Sequence, residues 1–550
     1  MLAAIVSGCG GTEAGGAGSA GGAGGADASD DGSSGAGGVS GAGGVSGAGG
    51  VSGAGGVSGA GGVSGAGGAS GAGGASGAGG VSGAGAAGAG AAGAGGGSGG
   101  SGGASGAAGS GGSAPLFDLP AIRDPATAEC TFTNPRTVLK DGVLVSVWDV
   151  SYRSWESVGG ALVPIRIRGF AARPASVAAA LPGVVQAHGL GGYSEEDHAT
   201  GLAALLKTMT LAYTGPGGGT DATNTSEGLP SSHGNGYRMF DVLQDPRGSW
   251  FWAHSVAAMR GLTCLGARSD VDPSRLGMTG FSAGAVATLM SAAVDDRVVA
   301  AVPLSGTGAW GVATEAPAAW QHTLLAKAGL STASPEWSTL LGTIGADVLL
   351  PGTSANVLMV NGTTDEFFPL TAHVATWSAI PGAEKRTSLA GNFDHGCYAL
   401  SGIESAATIE ARAEERAKGG QRAWFARWFG TDSRYATIPA APVVTAVAAG
   451  PATFVTAQVD AGGSQLEVQE VKYWWSNDDA FAFGSVELSG AGGGLYQAVV
   501  AAPFAANTVY FVDVLYRTRD LVLPERFSLS SVPVIPAGHV PHVRAIETCL

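Results

Sequence analysis

Between Gly10 and Ala114 the chain is almost entirely Gly, Ala, Ser and Val, and it contains neither proline nor an aromatic residue. The unit Gly-Ala-Gly-Gly-Val-Ser recurs with small variations from Gly35 to Ser82. Such a segment cannot bury enough apolar surface to offset the entropy of ordering its backbone. Glycine falls at every third position from Gly32 to Gly83, which is the period of collagen. Without proline or hydroxyproline, however, a triple helix is poorly favoured. Residues 10–114 therefore read as a flexible tether, whose ends as a coil lie roughly 55–60 Å apart. Any packed core has to come from residues 115–550.

The residues before the tether, Leu2-Ala-Ala-Ile-Val6-Ser7-Gly8-Cys9, resemble the end of a bacterial lipoprotein signal, with Cys9 as the lipidated residue. The departure from that pattern is that only eight residues precede Cys9 and none is basic. The expectation is an exported protein, either attached to a membrane through Cys9 or secreted. The formal charge is −15, from 28 basic and 43 acidic residues, with no basic cluster, so no nucleic-acid partner is expected. Four further cysteines, Cys130, Cys264, Cys397 and Cys549, show no zinc-type spacing, and no metal site is expected. Pairing of Cys264 with Cys397 is disfavoured. The first ends a helix at the bottom of a strand and the second lies at its top, about 17 Å away for five residues. The other two pairings stay open.

From Val143 the pattern changes to strands alternating with helices. Val143–Glu156 and Pro164–Ala172 read as an opening antiparallel pair. Gly183–Ala187, Met209–Tyr213, Val298–Leu304, Asn356–Val360 and Lys385–Leu389 read as further strands. Helices are expected near Ala199–Lys207, Ser249–Leu265 and Glu404–Phe429. The alternation predicts a mostly parallel sheet with helices on both faces, over residues 115–435.

Within that frame, the apolar stretch ending at Thr279 runs into Gly280-Phe281-Ser282-Ala283-Gly284, and a small-residue helix follows. A serine at the apex of a strand–turn–helix is lifted clear of the sheet, and the next N–H is aimed at a reacting carbonyl. The same five-residue pattern surrounds Ser98 and Ser101, where glycine abundance alone produces it, so the context of Ser282 carries the signal. Asp365 follows the strand Asn356–Val360, and His395 follows Lys385–Leu389. Both therefore leave the carboxyl edge of the sheet, as Ser282 does. Ser282 as nucleophile, His395 as base and Asp365 as orienting carboxylate form a consistent set. Asp365 could instead cap the following helix, and Asp394 is the rival carboxylate. His373 reads as a surface residue. Ala283 and Leu190, the latter in His188-Gly-Leu-Gly-Gly192, are the expected oxyanion donors. His188 is expected to brace that loop. Trp250, Trp252, Trp310, Phe367 and Phe368 are candidates to line an acyl or aryl pocket, against the alternative of packing under the long loop that follows Tyr213.

The domain resembles the α/β-hydrolase superfamily, in its dienelactone-hydrolase, acetylxylan-esterase and prolyl-oligopeptidase-like branch. The resemblance rests on His188–Gly192, Val256-Ala-Ala-Met-Arg-Gly-Leu262, Asp272-Pro-Ser-Arg-Leu-Gly277, Gly280–Gly284, Gly362-Thr-Thr-Asp365 and Asp394-His-Gly396. It implies an α/β-hydrolase fold and hydrolysis of small or polymeric esters, sometimes peptides, without metal or organic cofactor. After Tyr435 the helix signals stop. About seven short strands between Val443 and Val532 predict an Ig- or fibronectin-like sandwich over 440–536, then a tail over 537–550. Trp474 and Trp475 could present a glycan-binding face, although strand alternation points one of them inward. The leading reading is a carboxylic-ester hydrolase. A peptidase, or a surface glycan-binding protein with an inert hydrolase domain, are the rivals.

Overall fold

The computed structural model describes residues 115–538 apart from 230–237, 241–244, 317–318, 383, 396–410, 413 and 478–481. Cys9, the tether, Cys397, Cys549 and the first residues of the expected Glu404–Phe429 helix lie outside the described residues.

The chain first lays down an antiparallel meander, β1 (Thr131–Lys140), β2 (Val143–Val158) and β3 (Ala161–Pro174). β1 was not expected from the sequence. It carries Asn134-Pro135 and is irregular between Thr133 and Arg136, which an edge strand tolerates. There follow β4 (Leu181–Ala187), β5 (Met209–Tyr213), β6 (Val271–Phe281), β7 (Val298–Leu304), β8 (Asn356–Gly362) and β9 (Lys385–Ala390). The spatial order is β1-β2-β3-β5-β4-β6-β7-β8-β9, with parallel pairing from β5 through to β9. This is the sheet of an α/β-hydrolase.

Alternation along the strands divides the core in two. Val185, Met278, Ala301, Val357 and Met359 pack beneath the helices Trp250–Gly266 and Ala283–Val294. Val184, Ala300, Val302, Leu358 and Val360 pack on the other face, with the helices Glu196–Leu206 and Gly420–Phe429. Strands buried on both faces need apolar residues at successive positions, which is why β4 and β7 read as short continuous apolar runs. The last helix is entered through a π-helical turn at Glu414–Gly419.

Among the described residues the C-terminal part forms eight strands rather than about seven: β10 (Val443–Ala449), β11 (Ala452–Gln458), β12 (Leu466–Ser476), β13 (Gly484–Glu487), β14 (Ser489–Gly492), β15 (Leu495–Val500), β16 (Val509–Thr518) and β17 (Arg526–Ser530). They lie in two sheets, and one of these is not separate. β17 pairs antiparallel with β9 at Ser530 and Thr387, so β17-β16-β12-β13 extends the hydrolase sheet to 13 strands. The other sheet, β10-β11-β15-β14, shares a buried cluster with it. Val455 and Ala457 belong to that cluster, as do Val512, Tyr516 and the helix residues Trp424 and Phe425. The change of secondary-structure class near residue 440 is thus not a break in the sheet or in the core. Trp474 is buried and stacks on Phe511 at 6.2 Å, so it presents no glycan-binding face. Trp475 is half-buried and stacks on Tyr473 at 5.6 Å.

Candidate active site

Ser282 sits between β6 and the helix Ala283–Val294 with φ 58° and ψ −119°. Positive φ is costly for a residue with a Cβ and persists only where surrounding structure enforces it. Here the enforcement is visible. Ser282 N–H donates to the Leu304 carbonyl at 3.0 Å, and its own carbonyl accepts from Ala285 and Val286. The flanking glycines are required by close approach. A methyl group at Gly280 would lie 2.8 Å from the Ala187 carbonyl oxygen, and one at Gly284 would lie 2.7 Å from that of His188.

The imidazole of His395 is buried, and its Nδ1 lies 3.0 Å from Oδ2 of Asp365. The other carboxylate oxygen of Asp365 accepts the main-chain N–H groups of Phe367 (2.9 Å) and Phe368 (2.8 Å). Asp365 therefore holds its own turn and the imidazole at once, whereas the following helix, Leu370–Ala379, has Pro369 at its N-cap and is not capped by Asp365. Asp394 is buried but is not the carboxylate bonded to the ring. The His395 ring lies among Phe281, Phe367 and Phe368, with centroids at 4.9, 4.4 and 5.6 Å. Burial by itself lowers the affinity of His395 for a proton. The charge and hydrogen bond of Asp365, with the charges of Glu366 and Asp394, outweigh this and leave its pKa above the ordinary histidine value. Among the described residues Ser282 Oγ makes no hydrogen bond to His395. In unliganded hydrolases such bonds are often long and tighten with substrate.

Glu366 went unnoticed in the sequence. It is fully buried, and its Oε2 accepts the main-chain N–H of His395 at 3.1 Å. Two successive carboxylates from one loop thus hold one histidine, by its ring and by its backbone.

The loop His188–Gly192 lies over Ser282: a methyl group on Gly189 would come within 3.2 Å of Ser282 Cβ. Its Leu190 is buried. Ala283 opens the helix, so its N–H lacks an intrahelical acceptor. His188 braces this loop. Its Nδ1 lies 2.6 Å from the Gly189 carbonyl, and its Nε2 accepts the Gly215 N–H at 2.7 Å. Burial pushes its pKa down to about 4, which keeps the ring neutral, with Nδ1 as donor and Nε2 as acceptor. His373, expected at the surface, is instead fully buried, with Nε2 2.7 Å from Thr387 Oγ1. It faces β9 from the helix Leu370–Ala379.

The aromatic candidates share one cluster and differ in their nearness to the histidine. Trp250, Trp252, Trp310 and Phe368 are buried in it with Phe117, Phe240 and Trp337, and Phe367 packs against it. Trp250 Nε1 donates to Pro216 O (3.0 Å) and Trp252 Nε1 to Leu116 O (2.8 Å), so these rings pack beneath the loops. Phe367 is half-buried, touches His395, and meets Trp320 at 5.5 Å. Of the five candidates, Phe367 and Phe368 stand beside the histidine. Among the described residues no group of three His, Cys, Asp or Glu is placed to hold a metal ion. No helix among them is long and apolar enough to cross a membrane.

The family model for acetyl xylan esterase (AXE1) matches residues 140–306. That span holds Ser282 and the His188–Gly192 loop and ends before Asp365. No curated protein matches the chain. Among solved structures, acetyl xylan esterase 1 from Thermoanaerobacterium sp. JW/SL YS485 is 18% identical, with a TM-score of 0.40, covering 50% of this chain and 84% of that one. The acetyl xylan esterase from Paenibacillus sp. R4 is 18% identical, with a TM-score of 0.43, covering 54% and 90%. The acylaminoacyl peptidase of Pyrococcus horikoshii is 12% identical, with a TM-score of 0.38, covering 55% and 50%.

Proposed function

We propose that this carboxylic-ester hydrolase works through an acyl-enzyme on Ser282, with acetyl or other short acyl esters as its substrate class. The supporting observation is the arrangement at one sheet edge. A serine in an enforced positive-φ turn stands at the end of β6, and a buried histidine bonded to a buried carboxylate stands beyond β8 and β9. The family match over residues 140–306 favours an ester over a peptide.

Ser282 Oγ attacks the ester carbonyl carbon while its proton passes to His395 Nε2. The carbonyl oxygen becomes an oxyanion facing the N–H groups of Ala283 and Leu190. Asp365 keeps Nδ1 protonated and stabilises the imidazolium. Collapse breaks the bond to the alcohol oxygen, which leaves with the proton from His395. Water then adds to the acyl carbon, gives its proton to His395, and the carboxylic acid departs as Ser282 recovers its proton. Phe367 presses on the His395 ring and is backed by Trp320, which favours small acyl groups.

Hydrolysis of p-nitrophenyl esters from acetate to octanoate, by residues 115–550 and by Ser282→Ala, tests this reading. The expected result is turnover that falls with acyl length and is lost by about 10⁴-fold or more in the variant. Turnover that survives the substitution removes Ser282 as nucleophile. Absence of turnover with every ester removes the esterase reading.

A further inference from the structure

The segment from β9 to His395 is held from two sides. One side is the β8 loop. Thr363 Oγ1 accepts the Asn392 N–H at 2.9 Å, Thr364 N–H donates to the Phe393 carbonyl at 3.1 Å, and Asp365 and Glu366 hold His395 itself. The other side is the C-terminal β region. Gly391 lies against the indole of Trp474, where a methyl group would come 2.6 Å from Cδ2. The Asn392 side chain then makes a reciprocal pair with the main chain of Phe483. Its Nδ2 donates to the Phe483 carbonyl at 2.9 Å, and its Oδ1 accepts the Phe483 N–H at 2.7 Å.

Asn392 is almost fully buried and has φ 59°, a conformation that asparagine tolerates better than most residues. Behind it, Trp474, Phe483, Val509 and Phe511 form one apolar cluster with Leu370 and Leu389 of the hydrolase part. A side-chain amide that satisfies both main-chain polar groups of one buried residue fixes that residue in distance and in angle. Three residues later in the chain, the imidazole has to meet Ser282. An error of about 1 Å there costs on the order of 100-fold in rate.

We propose that the C-terminal β region, through Phe483 and Trp474, positions the histidine loop of the active site, and that Asn392 is the positioning residue that transmits its hold. The proposal rests on the Ser282–His395 reading above. It makes the all-β part a structural component of catalysis rather than an appended binding module.

The test compares full chains. Asn392→Gly keeps the positive φ and removes both bonds. Asn392→Asp keeps the volume and the tolerance of positive φ, but sets a carboxylate against the Phe483 carbonyl. Tyr435→Phe, which removes a 2.6 Å bond to Glu525 elsewhere in the β region, is the comparison for plain destabilisation. With p-nitrophenyl acetate, kcat is expected to fall about 10- to 100-fold in both Asn392 variants at temperatures well below their melting points, with KM changed less than about 2-fold. The acid limb of the Asn392→Gly profile should move to lower pH as His395 withdraws from Asp365. Tyr435→Phe should lower Tm and leave kcat unchanged. If both Asn392 variants only lower Tm, as Tyr435→Phe does, or keep the full kcat and pH profile, the proposal is overturned. If Asn392→Gly does not fold, Asn392→Asp decides the matter. Ser282→Ala, run alongside, separates this from the parent reading: activity in that variant sinks the reading itself, whereas a dead Ser282→Ala beside fully active Asn392 variants sinks only the role of Asn392.

Discussion

A buried histidine can be tuned in either direction, and this chain does both. His395 is raised above its ordinary pKa because three carboxylates outweigh burial. On the proposed reading His395 is the base and must be neutral to act, so kcat/KM should fall as pH drops through a value above about 6.5. Glu366→Gln keeps an acceptor for the His395 N–H and removes one negative charge. Its acid limb should move to lower pH and its kcat should drop roughly 3- to 10-fold. A pH–rate profile superimposable on the wild type would remove Glu366 from the electrostatics of the site. His188 and His373 are pushed down by burial to about 4 and about 3. The unfolded chain binds those protons first, so their contribution to stability is present above pH ~6.5 and is lost as pH falls toward 4 and then 3. Melting temperature should therefore decline across that window, and less steeply in His373→Gln. An unchanged slope would place the acid sensitivity elsewhere. At this scale the sequence was informative about placement: Ser282 does stand in a turn at a strand end, and Asp365 and His395 do meet from the loops after β8 and β9. It was silent on Glu366, whose role is to accept a backbone N–H, because any acidic residue beside Asp365 would look the same in a string of letters. It was equivocal on Trp250, Trp252 and Trp310, since an indole looks alike whether it lines a pocket or packs under a loop. The carbonyls of Pro216 and Leu116 that receive two of the N–H groups belong to the fold.

Elements announced by an apolar run or by a single turn were the legible ones. β4 and β7 follow from short apolar runs, and the turn at Ser282 follows from its small neighbours. β1 was lost because Pro135 argues against a strand in every position except an edge, and only the sheet reveals that it is one. Spacing also left two cysteine pairings open. Cys130, just ahead of β1, is joined to Cys264 near the end of the helix Trp250–Gly266, across 134 residues of chain. This bond ties down a segment already held to the same helix. Arg260 Nη1 donates to the Ala121 carbonyl at 2.8 Å, and Thr263 Oγ1 donates to that of Ile122 at 2.9 Å. The clasp lies at the bottom of the sheet, away from the edge that carries Ser282. Replacing both cysteines by serine should accordingly cost about 2–5 kcal/mol of stability while kcat on p-nitrophenyl acetate stays the same. Denaturant melts and a rate assay on the double variant check both halves. A fall in kcat well below the melting transition would mean that the clasp reaches the site.

At the scale of the whole molecule, composition and turn spacing predict two β sheets after residue 440, and two sheets are there. What they cannot convey is that β17 joins β9, because that junction is made by one bridged pair, Ser530 with Thr387, between residues remote in sequence. Side chains reinforce the junction. Ser530 Oγ accepts the Leu389 N–H at 2.8 Å and donates to Asp513 Oδ1 at 3.0 Å. Buried Arg416 donates to the Leu389 carbonyl at 2.8 Å and pairs with Asp513. Asp513 is buried, and burial pushes its carboxyl up in pKa against the opposing pull of Arg416. Removing one member of such a pair leaves a charge stranded in the interior, at a cost of about 3–5 kcal/mol. Cutting the chain before β10 would strand Arg416, expose β9 as an unpaired edge, and strip Leu370 and Leu389 of Trp474, Phe483 and Phe511. Residues 115–438 expressed alone should therefore aggregate or melt without a cooperative transition, whereas 115–550 should unfold in one step. The measurement is calorimetry of the two chains side by side. A shortened chain that melts cooperatively and hydrolyses esters at the full rate would mean that the hydrolase part closes its own core, and that the shared sheet is an incidental contact rather than a structural requirement.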